Sequence, residues 1–178
     1  MNAQDHLART RAALEALDPE AIDQAGMALV HALDRGGMIY TCGNGGSAAE
    51  ALHLVEEVIG CYSNRARPAR AAVCLNADPT TMTCIANEFG YENIFSRQLE
   101  ALLRQEDILI VLSTSGESRN IINALQVARH TGAQTIGLLG PWRIGRRTVR
   151  YVLAGSGRPN RRHPGSTPRH GALFVCRH

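Results

Sequence analysis

Cys42-Gly43-Asn44-Gly45-Gly46-Ser47-Ala48-Ala49-Glu50-Ala51-Leu52-His53-Leu54-Val55-Glu56-Glu57 decides how the rest of the chain is read. An apolar run, Met38-Ile39-Tyr40-Thr41-Cys42, precedes it and is short enough for a buried strand. No helix breaker follows before Gly60. Strand, glycine-rich turn and helix in that order aim backbone N–H groups and the positive end of a helix dipole at one spot, which suits an anion such as phosphate. Asn44 and Ser47 add side-chain donors. His53 and Glu57 share one helix face. An imidazole and a carboxylate near a phosphate cradle can hold a metal or move a proton. Each piece has a plainer reading: the turn is neither GxGxxG nor a P-loop, and His53 with Glu57 makes an ordinary surface pair. Their concentration in one short stretch favours a site.

A second unit of the same kind lies downstream. Asp107-Ile108-Leu109-Ile110-Val111-Leu112 reads as a buried strand and runs straight into Ser113-Thr114-Ser115-Gly116-Glu117-Ser118. A helical pattern then carries Ile121, Ile122, Leu125, Val127 and Ala128. Hydroxyls and a glycine before a helix again suit phosphate, although Ser and Thr also serve as plain caps. Ala71 to Leu75 and Gln134 to Leu139 read as further strands. Between them, Asp78-Pro79 starts a short helix, Asn87-Glu88-Phe89-Gly90-Tyr91 reads as a polar turn, and a helix is expected over 92–103. Upstream, residues 4–17 form a weak amphipathic helix, and Asp18-Pro19 starts a second that ends at Gly36-Gly37. Alternating strands and helices imply an α/β fold, a parallel sheet with helices on both faces and N-terminal helices before it. Ligands then lie beyond the carboxyl ends of the strands, where both turns sit.

At 178 residues the chain is expected to form one domain: an N-terminal helical segment over 1–36, a core over 37–140 and an atypical basic tail over 141–178. No apolar run approaches membrane-spanning length, and the N-terminus lacks a signal-peptide core. Five cysteines (Cys42, Cys61, Cys74, Cys84, Cys176) form no C-x-x-C pair, which fits reduced thiols in the cytoplasm. The formal charge of +3 conceals an asymmetry. Residues 1–140 hold 10 Arg against 16 acids, a net of −6, whereas residues 141–178 hold 9 Arg and no acid, a net of +9. There is no lysine.

Taken as a series, Gly43-Asn44-Gly45-Gly46-Ser47, then His53 and Glu57, then Asn87-Glu88-Phe89-Gly90, then Ser113-Thr114-Ser115-Gly116-Glu117-Ser118 resemble the sugar isomerase (SIS) domain of bacterial phosphoheptose isomerases. The resemblance covers about residues 1–140, in order and at family spacing. It implies a flavodoxin-like sheet and an isomerase converting sedoheptulose 7-phosphate to D-glycero-D-manno-heptose 7-phosphate, an early lipopolysaccharide or surface-glycan precursor. It also implies a homotetramer with sites at subunit interfaces, and zinc on His53 and Glu57 with a Gln and a His near the C-terminus. By the same resemblance Ser113, Thr114, Ser115 and Ser118 hold the phosphate, and Asn44, Gly45, Gly46, Ser47, Asn87 and Glu88 line the sugar. Glu88 stands where the family usually has Asp. The chemistry agrees: ketose–aldose isomerisation moves a proton between adjacent carbons through an enediol and needs a base. Glu57 is the candidate. The alternatives within the fold are binding-only: a sugar-phosphate-sensing module, or a replication-initiator-binding scaffold, a family understood to lack the carboxylate that Glu57 supplies.

The resemblance stops near Leu139–Gly140. The family's Gly-Gly loop, last strand and Gln-Glu-x-His helix are not present as written. A basic tail can bind nucleic acid or be simply disordered, although nucleic acid is not the expected partner. An out-of-frame tail is the preferred account. Codons chosen for His163-Pro164-Gly165-Ser166-Thr167 and read one base later give Ile-Gln-Glu-Ala-His, and Gly140 to Ile144 give Gly-Arg-Gly-Gly-Ser. Without the family's Gln and His, two ligands make a weak zinc site, so this chain is expected to have little activity. His163, His170, Cys176 and His178 are the remaining possible ligands, and Val149 to Leu153 a makeshift strand.

Overall fold

The computed structural model describes residues 2–139 and 151–154. Six helices and five strands follow in chain order: α1 (Ala3–Glu15), α2 (Pro19–Asp34), β1 (Ile39–Gly43), α3 (Gly46–Ile59), β2 (Ala72–Cys74), α4 (Pro79–Phe89), α5 (Ser96–Leu102), β3 (Ile108–Ser113), α6 (Arg119–Thr131), β4 (Gln134–Leu139) and β5 (Tyr151–Ala154). A 3-10 turn, Tyr91–Asn93, separates α4 from α5.

The strands form one sheet in the order β2-β1-β3-β4-β5, with every neighbour parallel. Ile39 faces Ala72 on one side and Ile108 on the other, and Ile136 faces Tyr151. This order is the flavodoxin-like one, with its switch point between β1 and β3. The central strands β1 and β3 are buried along their whole length and mostly apolar because both faces are covered. Tyr40, Cys42, Leu109 and Val111 point into a core closed by α4, α5 and α6, with Phe95, Leu99, Ile121 and Leu125 at its centre. Ile39, Ile108, Ile110 and Leu112 point the other way, against Ala51 and Val55 of α3 and Ala25, Ala28 and Ala32 of α2. The small side chains of α2 let its backbone lie close to the sheet. Asp18 caps that helix through Glu20 N at 3.0 Å, with Pro19 at its first position.

Several boundaries differ from the sequence expectations. Asn87 to Phe89 are the last turn of α4 rather than a loop, and the bend falls at Gly90, whose φ of +86° excludes most side chains. The helix expected over 92–103 begins with the 3-10 turn, so only Ser96–Leu102 is α-helical. The strand expected over Val149 to Leu153 appears as β5, shifted to Tyr151–Ala154. The remaining readings of the tail, its frame and His163, His170, Cys176 and His178 among them, lie outside the described residues. α1 stands off the body: its described side chains are exposed apart from half-buried Ala13.

Candidate functional site

The two turns read from the sequence sit side by side at the carboxyl ends of β1 and β3, which pair Gly43 with Leu112. The first is held from three directions. Asn76, just after β2, accepts from Gly43 N at 3.1 Å and donates to Gly43 O at 3.0 Å. Thr41 Oγ1, buried, donates to Ala51 O at 2.9 Å and ties α3 back to β1. A Cβ on Gly43 would lie 2.5 Å from Ser47 O, so only glycine lets α3 start this close to the strand. Gly45 has φ +59° and precedes α3 with no side-chain cap; the turn closes through its own backbone, Ser47 N donating to Asn44 O at 3.1 Å and Ala48 N to Gly45 O at 3.0 Å. At the other end Arg67 donates to Glu57 O and Val58 O, both at 2.9 Å, and covers the last carbonyls.

The second turn is pre-shaped by its own hydroxyls. Ser113 Oγ, buried, accepts from Gly116 N at 3.0 Å, and Ser115 Oγ accepts from Glu117 N at 3.2 Å. Ser115 and Ser118 hydroxyls lie 3.5 Å apart. Ser118 precedes α6 without capping it through its side chain, so its hydroxyl stays available to a ligand. Thr114 is exposed.

A cleft of about 500 Å³ opens between the turns, lined by Asn44, Ser118, Arg119, Asn120, Asn123, Tyr91 and Glu92. Asn44 and Asn120 pair amide to amide, Asn44 Nδ2 to Asn120 Oδ1 at 3.0 Å and Asn120 Nδ2 to Asn44 Oδ1 at 2.8 Å. The Tyr91 hydroxyl donates to Asn44 Oδ1 at 3.1 Å. Of these residues the sequence had singled out only Asn44 and Ser118 for the site. Asn120 left a signal: it shares a buried helical stripe with Ala124 and Ala128, and an amide among alanines demands a specific partner. Asn87 and Glu88 are exposed, bond to each other at 2.7 Å, and lie outside the walls of this cleft.

His53 and Glu57 do share a face of α3, with His53 Nε2 3.3 Å from Glu57 Oε1. Glu56 joins them: one ligand atom from each of the three lies within 4.8 Å of the others. Glu57 Oε2 is shielded from solvent and has no hydrogen-bond partner. A buried, unpartnered carboxylate oxygen beside an imidazole is a donor set in want of a cation. Along α3 from Gly46, at about 1.5 Å per residue, His53 lies about 10 Å away and Glu57 about 16 Å away. Nearby thiols take no part. Burial pushes the Cys42 thiol far up, with Cys74 adding to it, so Cys42 stays protonated and inert. Burial also raises Tyr40, Asp107 adds to the rise and Arg104 opposes it; the Tyr40 hydroxyl donates to Leu102 O.

Comparison with known proteins agrees with this geometry. The SIS domain family model matches residues 4–140. A phosphoheptose isomerase of Bradyrhizobium sp. (strain ORS 278) is 43% identical over 141 residues, 76% of this chain and 71% of that protein. A phosphoheptose isomerase of Aliarcobacter butzleri is 46% identical over 121 residues, 68% of this chain and 64% of that protein. The chain therefore spans about two thirds of the length of these curated relatives. The structure of a phosphoheptose isomerase from Francisella tularensis superposes with a TM-score of 0.78 at 32% identity, covering 88% of this chain and 87% of that one. On its sheet order, its paired turns and these matches, the chain belongs to the phosphoheptose isomerase family of SIS-domain proteins.

Proposed function

We propose that this chain carries the machinery of a ketose–aldose isomerase that turns sedoheptulose 7-phosphate into D-glycero-D-manno-heptose 7-phosphate, a surface-glycan precursor made in the cytoplasm. The observation that carries the reading is the joining of the glycine turn to the serine turn across one cleft, through Asn44 and Asn120. Ser113, Thr114, Ser115 and Ser118 take the phosphate, with the N-terminus of α6 behind them and Arg119 in the same wall. Asn44, the Gly45-Gly46 backbone and Ser47 meet the sugar; Asn87 and Glu88, outside the walls of this cleft, are kept as sugar contacts on the family resemblance alone.

Isomerisation requires that a proton leave C1 of the ketose and that one arrive at C2, while the hydroxyl proton of O1 is lost and O2 gains one. Atoms and charge balance, and no redox partner is needed. Glu57 is the base that takes the C1 proton and returns it to C2, with His53 Nε2 3.3 Å from its Oε1. His53, Glu57 and the neighbouring Glu56 fit part of a zinc donor set, one nitrogen with carboxylate oxygens. Zinc bound there would polarise the substrate carbonyl.

The assembly proposed is a homotetramer with sites at subunit contacts. Leu7 and Leu14 of α1, and Met27 and Val30 of α2, are more than half exposed, which a partner copy would remedy. No helix among the described residues is long and apolar enough to cross a membrane.

A second reading has its own observation. Residues 141–178 contain no Gln and no Gln-Glu-x-His motif, so the chain as written lacks the Gln ligand the resemblance implies and would bind sugar phosphate without turning it over. One experiment separates the two. The chain as given and a chain with codons 140–178 restored to the shifted frame are incubated with zinc and sedoheptulose 7-phosphate, and both binding and aldose formation are followed. Binding by both, with turnover only in the restored chain, is expected. Normal turnover by the chain as given would overturn the need for the missing ligands. Failure of both to bind would overturn the assignment.

A further inference from the structure

We propose that Asn120 and Tyr91 are positioning residues that lock the Asn44 side-chain amide, so that it meets a sugar-phosphate oxygen as a hydrogen-bond donor and never as an acceptor. The inference deepens the sugar-phosphate reading given above and rests on it for the nature of the ligand.

An asparagine amide offers two N–H donors and two acceptor lone pairs. Both lone pairs of Asn44 Oδ1 are taken, by Asn120 Nδ2 at 2.8 Å and by the Tyr91 hydroxyl at 3.1 Å. One Nδ2 hydrogen goes to Asn120 Oδ1 at 3.0 Å. A single N–H is left, on a residue that lines the cleft.

The direction of the pair is set by the main chain. Asn120 Oδ1 also accepts from Ile121 N at 3.0 Å, an N–H it shares with Ser118 O at 3.0 Å. A backbone N–H cannot become an acceptor, so Asn120 cannot reverse its amide, and Asn44 cannot reverse without setting nitrogen against nitrogen and oxygen against oxygen. Asn120 is 2% exposed, so no water stands in for a lost partner. Tyr91 is held in turn: Asn123 Nδ2 donates to Glu92 O at 3.0 Å and to Asn93 Oδ1 at 3.3 Å, fastening the 3-10 turn to α6.

The consequence is selective. A hydroxyl, carbonyl or phosphate oxygen facing Asn44 is accepted, whereas a protonated amine at the same point meets an N–H and is rejected. Asn120 also couples the two turns, since it begins α6 beside the phosphate loop yet aims the residue that serves the sugar.

The test is a double-mutant cycle on sedoheptulose 7-phosphate affinity, read by calorimetry in the full chain. Asn120→Ala should weaken binding about 10-fold, the scale of one well-placed hydrogen bond. Asn44→Ala should weaken it at least as much, and the double variant no more than Asn44→Ala alone. Additive losses would overturn the proposal, because Asn120 would then act by contact or by general loosening. Tyr91→Phe removes only a hydroxyl from an exposed residue, so it tests the same prediction if Asn120→Ala fails to fold: a loss of about 3-fold that vanishes in the Asn44→Ala background. The lock is also read without ligand, from exchange of the Asn44 side-chain amide protons in 15N-labelled protein. Slow exchange that Tyr91→Phe and Asn120→Ala accelerate supports the lock, and unchanged exchange overturns it. If the wild-type chain binds no sugar phosphate, the isomerase reading and the donor role fall together, while the exchange result still decides the lock.

Discussion

At the scale of single residues, the buried polar groups near the sheet carry more consequence than the exposed charges. Asp107 is 4% exposed, and its two oxygens accept from Met38 N and Arg104 N, both at 2.8 Å. It closes the entrances to β1 and β3 at once. Asp107→Ala leaves two backbone donors unpaired and should lower stability by about 3 kcal/mol, measured by urea unfolding. Exposed pairs such as Arg11–Glu15 should matter little by comparison. Thiol chemistry should follow burial: Cys84 is exposed, whereas Cys42 is buried and its thiol is raised by that burial. Alkylation at pH 8 followed by peptide mapping should label Cys84 in the folded chain and reach Cys42 only after unfolding.

Among the elements, the entry to α3 is the most demanding. Gly45 and Gly46 are neighbours with open space around both, yet they differ in backbone: only Gly45 has a positive φ. Gly45→Ala should therefore cost about 1–3 kcal/mol, because φ +59° with ψ −123° is a backbone region that side chains rarely adopt. Gly46→Ala, at the start of the helix, should be neutral or slightly stabilising. Thermal unfolding of the two variants side by side checks this, and equal losses would mean that the turn adapts. Gly43→Ala belongs to a third class, because its Cβ would strike the Ser47 backbone and displace the helix that carries His53 and Glu57.

For the whole molecule, the open question is what covers α1 and the outer face of α2. Both helices are well capped, Asn2 forming a reciprocal capping box with Asp5, yet α1 buries almost nothing within the chain. A helix of this length is marginal in water by itself, so its stability must come from packing. Sedimentation velocity should show a species of about four chains, and Leu7→Glu combined with Leu14→Glu should shift it to smaller species. A monomer that keeps α1 helical would sink the tetramer. Charge belongs to the same scale: residues 1–140 are acidic and the segment from 141 is basic.

Sequence alone settled the order of elements and the place of both turns, because period, glycine and caps are local properties. Asp18-Pro19 reads as a helix start, and the run from Ile108 to Leu112 as a buried strand. It also brought His53 and Glu57 together, since a spacing of four is a geometric statement about one helix. The partnership of Asn44 with Asn120 was beyond its reach. Those residues are 76 positions apart, and only the pairing of β1 with β3 brings their turns to one edge. The same holds for Tyr91, which Gly90 turns towards the cleft, and for Asn87 and Glu88, which a polar run suggested as loop but α4 absorbs as its last turn. Local chemistry determined which segments could bind a phosphate; the crossing of the chain between parallel strands decided which side chains aim the groups that meet it.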